Sequence, residues 1–165
     1  GIETLVFSCA GCYNMFKNHY PAFRELKFTP VHITEYLAEK DLQLREYPRT
    51  LTYHDPCHLG RHAKVYDAPR KIISRIPKAE FREMENKGET ARCCGGGGGL
   101  RAAFPDISKQ IAGKRVESAR FADVLLTSCP FCVNNLALGK ELTDCDFEIK
   151  DIVELVDELL ESPAA

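Results

Sequence analysis

Two adjacent cysteines, Cys93 and Cys94, stand directly before five consecutive glycines, Gly95 to Gly99, in the stretch ETARCCGGGGGLRAAFPD. Vicinal cysteines are held by a peptide plane and do not easily reach ordinary disulfide geometry. Their chemistry is instead that of paired thiolates: soft metal donors or redox groups. The other cysteines are clustered too. Cys9 and Cys12 form one Cys-x-x-Cys pair and Cys129 and Cys132 a second; Cys57 lies between them and Cys145 stands apart. Eight cysteines in 165 residues fall well below the roughly 8–10% density of small disulfide scaffolds. In a cytosolic chain such clusters read as metal ligands or redox groups before disulfides.

Something must bring these sulfurs together. The apolar run TLVFS ends at Cys9, LTYHD (Leu51 to Asp55) ends two residues before Cys57, and DVLLTS (Asp123 to Ser128) leads into Cys129; each reads as a buried strand. Helical patterns lie between them, at Thr34 to Leu44, Ala68 to Ile76, Pro105 to Phe121 with Ile107, Ile111 and Val116 along one side, and DIVELVDELLE near the end. Strands alternating with helices predict an α/β fold, a mainly parallel sheet flanked by helices joined by right-handed crossovers. Ligands collect at the carboxyl ends of such strands. The cysteines are therefore expected there.

Composition narrows the function. A net charge of -2 with interleaved signs provides no basic footprint for nucleic acid and no polybasic membrane patch. No apolar run approaches the ~20 residues of a membrane span, and GIETLVFSCA lacks the features of a secretory signal. The expectation is a cytoplasmic protein without direct membrane insertion, held at the membrane, if at all, through partner subunits. At 165 residues and 44% hydrophobic composition it has enough chain for one compact unit.

An internal repeat qualifies that organisation. TLVFSCAGCYNMFK and VLLTSCPFCVNNLA share an apolar strand, a Ser-Cys-x-x-Cys turn, an Asn two residues after the second cysteine and an amphipathic continuation. The second copy has Cys57 and Cys93-Cys94 upstream; the first has none. Residues 1–20 are thus expected to be the tail of a preceding, truncated unit, and residues 21–165 a complete domain.

The whole constellation has 35 residues between Cys57 and Cys93 and 34 between Cys94 and Cys129. With HDPCHLGR, CCGGGGG and SCPFC as landmarks over about Leu51 to Leu138, it resembles the cysteine-rich CCG domain, as the C-terminal copy, of the heterodisulfide reductase family and of the iron–sulfur subunits of glycolate and lactate oxidising enzymes. The resemblance implies a noncubane [4Fe-4S] cluster on Cys57, Cys93, Cys94, Cys129 and Cys132, acting in electron transfer and disulfide reduction as part of a larger oxidoreductase. It places Cys9 and Cys12 in a second, incomplete site. It also implies redox partner subunits, ferredoxin-like, flavoprotein or cytochrome, in a disulfide or 2-hydroxy-acid pathway. The isolated domain is then expected not to turn over substrate alone.

The residues support this independently, because adjacent and Cys-x-x-Cys cysteines each supply two sulfurs to neighbouring irons. Glycines without Cβ, Gly95, Gly96 and Gly97 first, let the backbone approach a cluster and aim N–H groups at its sulfur. The competing readings are a flexible linker or a phosphate loop. His54, His58 and His62 recur every fourth residue, but Pro56 opposes a helix through them; His58 reads as a donor to the site or a surface group, and Arg61 as a charge partner or a solvated side chain. Cys145 reads as a lone packing or surface thiol and the acidic tail as a solvated helix face. Two other functions stay open: a structural zinc site closed by the two Cys-x-x-Cys pairs, and a thioredoxin-like thiol oxidoreductase.

Overall fold

A computed structural model of the chain describes residues 1–160. In order along the chain it contains β1 (Thr4–Phe7), α1 (Ala10–Asn14), β2 (Thr29–His32), α2 (Ile33–Ala38), β3 (Thr50–Tyr53), α3 (Asp67–Ile73), β4 (Glu80–Phe81), α4 (Leu100–Ala103), α5 (Pro105–Glu117), β5 (Val124–Thr127), α6 (Pro130–Lys140), β6 (Glu148–Asp151) and α7 (Ile152–Leu159). The fold is α/β, with every strand pair parallel: a four-stranded sheet ordered β4-β3-β5-β6 and a two-stranded sheet β1-β2.

The apolar runs at β3 and β5 become the central strands because both of their faces are covered. Side chains alternate across a strand. Val124 and Leu126 join Leu51, Tyr53, α3 (Ile72 and Ile73) and α7 (Ile152, Leu155 and Val156) on one face. Leu125 enters the other core with Val116 of α5, Leu136 of α6, Tyr13 and several cysteines. Burying each such aliphatic side chain stabilises the fold by about 1.5–3 kcal/mol.

The sequence repeat extends further in space than the quoted stretches. β1-α1-β2-α2 and β5-α6-β6-α7 share one plan: strand, Ser-Cys-x-x-Cys turn, helix, parallel neighbouring strand, capped helix. Both closing helices carry a capping box. His32 Nδ1 accepts from the Thr34 N–H at 3.3 Å and Glu35 accepts from the His32 N–H at 3.1 Å; Asp151 accepts from the Val153 N–H at 3.1 Å and Glu154 from the Asp151 N–H at 2.9 Å.

Several sequence expectations shift. The helix expected over Thr34 to Leu44 stops at Ala38, and Leu44 instead bridges Leu160. α5 buries Ser108, Ala112, Gly113, Arg115 and Val116, whereas Ile107 is 50% exposed. The buried side of α5 is set by close helix contact instead of by its largest apolar residues: a Cβ on Gly139 of α6 would stand 2.5 Å from the Gly113 nitrogen. Asp157 and Glu158 of the acidic tail are exposed on α7, while Glu161 lies outside the described residues. No helix among the described residues is long and apolar enough to cross a membrane.

Candidate metal centre

Three segments deliver the sulfurs. Parallel pairing of β3 with β5, Leu51 opposite Val124 through Tyr53 opposite Leu126, brings the ends of both strands to one sheet edge. Beyond β3 the chain runs through Asp55 and Pro56 to Cys57 and a wide π-helical turn, His58–His62. Beyond β5, Cys129 precedes α6, whose Pro130 suits a first helical position, so Cys132 lies in the first turn. Cys93 and Cys94 arrive on the loop before α4. The Cys94 and Cys132 sulfurs are 3.3 Å apart and those of Cys57 and Cys93 3.9 Å apart. All five line one cavity of about 740 Å³, together with Cys9 and Cys12 from the first repeat copy, Met15, His58, Arg101 and Phe131. All eight cysteines are free thiols.

The glycines are required for specific reasons. Gly95 has φ +80°, and a Cβ there would lie 3.1 Å from the Ser108 carbonyl oxygen; on Gly96 it would lie 2.9 Å from Asn135 Cβ and 3.1 Å from the Phe131 oxygen. The loop therefore presses onto α5 and α6, and its N–H groups turn back on the sulfurs: Gly95 donates to Cys93 Sγ at 3.3 Å and Gly96 to Cys94 Sγ at 3.4 Å. Gly96 and Gly97 line the cavity; Gly95 packs against Ile111 behind it. Asn135, buried, clamps the loop by donating to the Cys94 carbonyl at 2.7 Å, and Ser108 donates to the Gly95 carbonyl at 2.8 Å. Sequence reasoning missed both clamps. Their only signal was a second Asn in VNN, on the buried side of α6.

Sulfurs this close cannot all ionise without positive charge between them. Hydrogen bonds from Cys57 and then Cys94 pull the Cys93 thiol far below the ordinary range, and those from Cys132 and then Cys9 do the same to Cys129. Their partners move up: Cys57 through its bond to Cys93 and through burial, Cys9 through its bond to Cys129 and through burial, and Cys132 through Cys129 and Cys94. A polycationic centre would ionise the whole set, since a coordinated thiol is deprotonated outright.

The groups behind the sulfurs fit an anionic, sulfur-rich occupant. His54 is fully buried, and one of its ring nitrogens lies within 4.8 Å of the sulfurs of Cys94 and Cys132. Arg115 Nε donates to His54 Nδ1 at 3.0 Å, so the ring proton resides on Nε2. Burial, followed by the Arg115 charge, lowers the His54 pKa to about 3; burial lowers that of Arg115 only to about 10, so it stays charged near neutrality. His54 Nε2 and Arg115 Nη2 are both buried without a hydrogen-bond partner, a state costing about 1–3 kcal/mol per group when nothing accepts from them.

The remaining candidates disperse. His58 is half-buried on the cavity wall, with Nδ1 3.7 Å from Cys57 Sγ. His62 is exposed beside it. Arg61, read as a charge partner for the site, donates to the Ala91 carbonyl at 2.7 Å, two residues before Cys93. Cys145 is buried in the core away from the cavity.

Comparison with known proteins adds an independent line. Residues 51–137 match the family model CCG, a cysteine-rich domain. The chain is 43% identical to one of the subunits of dihydromethanophenazine:CoB--CoM heterodisulfide reductase of Methanosarcina barkeri, over 97% of this chain and 41% of that protein. It is 37% identical to one of the subunits of fumarate reductase (CoM/CoB) of Methanothermobacter marburgensis, over 95% and 32%. To an uncharacterized iron-sulfur protein of Methanocaldococcus jannaschii it is 40% identical, over 94% and 31%. The chain spans about two fifths or less of the length of these relatives. No solved structure matches it.

Proposed function

The chain belongs to the CCG cysteine-rich domain family, and from that premise we propose that it is the redox domain of an iron–sulfur oxidoreductase of the disulfide-reducing kind. Cys57, Cys93, Cys94, Cys129 and Cys132 are the proposed ligands of a noncubane [4Fe-4S] cluster. The observation that carries this is the convergence of five sulfurs from three distant segments onto one cavity, with backbone N–H groups aimed at two of them. The names of the relatives, an iron-sulfur protein and subunits of heterodisulfide and fumarate reductases, support it. Two Cys-x-x-Cys pairs closing a zinc site would leave Cys57, Cys93 and Cys94 without a role, although all three line the same cavity.

When bound, such a cluster supplies one-electron transfer. The protein's own residues prepare the site: the glycine loop brings N–H dipoles to the sulfurs, Asn135 and Ser108 fix the loop, and Phe131 and Met15 make the cavity wall apolar. Opening a disulfide consumes two electrons and two protons and yields two thiols. The electrons would come from a partner redox protein, ferredoxin-like, flavoprotein or cytochrome. Cys9 and Cys12 on the same cavity belong, in this proposal, to a second and incomplete site. The matched plan of β1 to α2 and β5 to α7 favours a boundary between the two units after Ala38 instead of after residue 20.

The test is anaerobic steady-state reduction of a thiol-coenzyme heterodisulfide with reduced viologen as donor, by this chain and by a full-length relative. The chain alone should be reducible yet turn over slowly. Equal rates per cluster from both would overturn the two-site reading and favour direct thiol attack by Cys129 or Cys132.

A further inference from the structure

We propose that His54 and Arg115 form a fixed donor pair directed at the Cys94–Cys132 side of the centre, where they hydrogen-bond to its sulfur atoms and raise its reduction potential. The proposal rests on the iron–sulfur reading above and adds to it two positioning residues, neither of them a ligand. Arg115 fixes the ring: its Nε donates to His54 Nδ1 at 3.0 Å, which leaves the proton on Nε2. The backbone fixes it as well, because the His54 N–H donates to the Leu126 carbonyl at 2.8 Å and its own carbonyl accepts from Thr127 Oγ1 at 3.1 Å. The imidazole is thus anchored to both central strands and to α5.

One ring nitrogen of His54 lies within 4.8 Å of the Cys94 and Cys132 sulfurs. His54 Nε2 and Arg115 Nη2 are both buried and unpartnered, on residues 0% and 3% exposed. The nearby carboxylate is already committed: Asp55 accepts from two nitrogens of Arg70, at 2.8 and 3.0 Å, and from the Gly88 N–H at 2.8 Å. Among the described residues Arg115 makes no ion pair within 4.0 Å. A buried guanidinium without a carboxylate, within electrostatic reach of Cys94 and Cys132, is matched by an anionic centre in place of an acidic side chain. Hydrogen bonds and positive charge near a cluster's sulfurs favour its more reduced, more negative state.

The test uses the anaerobically prepared chain, with iron and sulfide measured on every sample. In His54→Leu and Arg115→Gln that retain the centre, the midpoint should move to more negative potential, changing the oxidised-to-reduced ratio at the wild-type midpoint by about tenfold, or ~59 mV for a one-electron couple. His54→Gln, which keeps an N–H donor, should lie between Leu and wild type. Independently of any folding defect at position 54, proton and nitrogen hyperfine spectroscopy of the paramagnetic state, with ¹⁵N-histidine labelling in a His58→Gln background, should show one weakly coupled histidine nitrogen bearing an exchangeable proton. Loaded variants with an unchanged midpoint, or absence of that coupling, would overturn the proposal. Absence of iron and sulfide from the wild type would instead overturn the iron–sulfur reading itself.

Discussion

The two Ser-Cys-x-x-Cys copies, one in β1-α1-β2-α2 and one in β5-α6-β6-α7, have nearly the same local plan and very different surroundings. β5 is buried at all four positions, while β1 alternates between exposed and half-buried. Cys129 and Cys132 are buried; Cys9 is half-buried and Cys12 exposed. After Cys129 the helix runs eleven residues, whereas α1 ends after five and widens into a π-helical turn, Met15–His19. The motif sets a strand-to-helix turn in both places. In the proposed reading the complete ligand set forms where β3 lies alongside the strand and the Cys93-Cys94-Gly loop reaches the same cavity.

The largest expected effect divides the two copies directly. Cys94→Ser and Cys132→Ser should abolish or alter the cluster, as should serine at Cys57, Cys93 or Cys129, whereas Cys12→Ser and Cys145→Ser should keep the iron, measured per chain after anaerobic preparation. Cys9 sharpens the contrast, because it lines the same cavity and Cys129 raises its thiol pKa. If Cys9→Ser empties the site as completely as Cys94→Ser, the five-cysteine ligand set is wrong.

The two capping boxes should respond to pH with opposite sign. Burial lowers the His32 pKa from 6.5 to about 4, so its contribution to stability is fully present above about pH 6.5 and is lost as pH falls through 4; the shift corresponds to about 3 kcal/mol. Burial raises the Asp151 carboxyl from 3.8 to about 6, so its contribution is present below about pH 3.8 and is lost as pH rises through 6. His32→Asn keeps a capping side chain that does not titrate. Urea unfolding at pH 7 and 4.5 should therefore show wild type losing stability relative to this variant at the lower pH; a constant difference would contradict the assignment.

Packing supplies a smaller contrast. Gly139→Ala forces a Cβ to within 2.5 Å of α5 backbone and should cost about 1–3 kcal/mol, lowering Tm by roughly 2–12 °C. The corresponding place in the first copy is His19, where no such helix crossing exists. The smallest effect is expected from Asp151→Ala: loss of the cap on α7 should cost about 1 kcal/mol in urea unfolding at about pH 4 and less at neutral pH, where the wild-type carboxyl has lost its contribution.

Much of this was legible in the sequence, for identifiable reasons. The apolar runs before Cys57 and Cys129 are short and continuous, as strands buried on both faces must be, and with the run before Cys9 their order predicts parallel strands that end at the cysteines. β2, β4 and β6 went unread because Thr-Pro-Val-His, Glu-Phe and Glu-Ile-Lys-Asp carry no sustained alternation. Arg115 was illegible for a different reason. It lies on the buried side of a helix where Val116 is buried as the apolar periodicity predicts but Ile107 faces out, so that periodicity gave no sign of a buried arginine. Asn135 and Ser108 likewise act by closing a loop that local sequence cannot place against two helices.

The central claim is that the second copy, completed by Cys57 and the Cys93-Cys94 loop, holds an iron–sulfur cluster. Its most direct test is iron, zinc and acid-labile sulfide analysis of the anaerobically purified chain. About four irons and four sulfides per chain, with brown charge-transfer absorption, are expected for a [4Fe-4S] centre. Stoichiometric zinc without sulfide would contradict the claim.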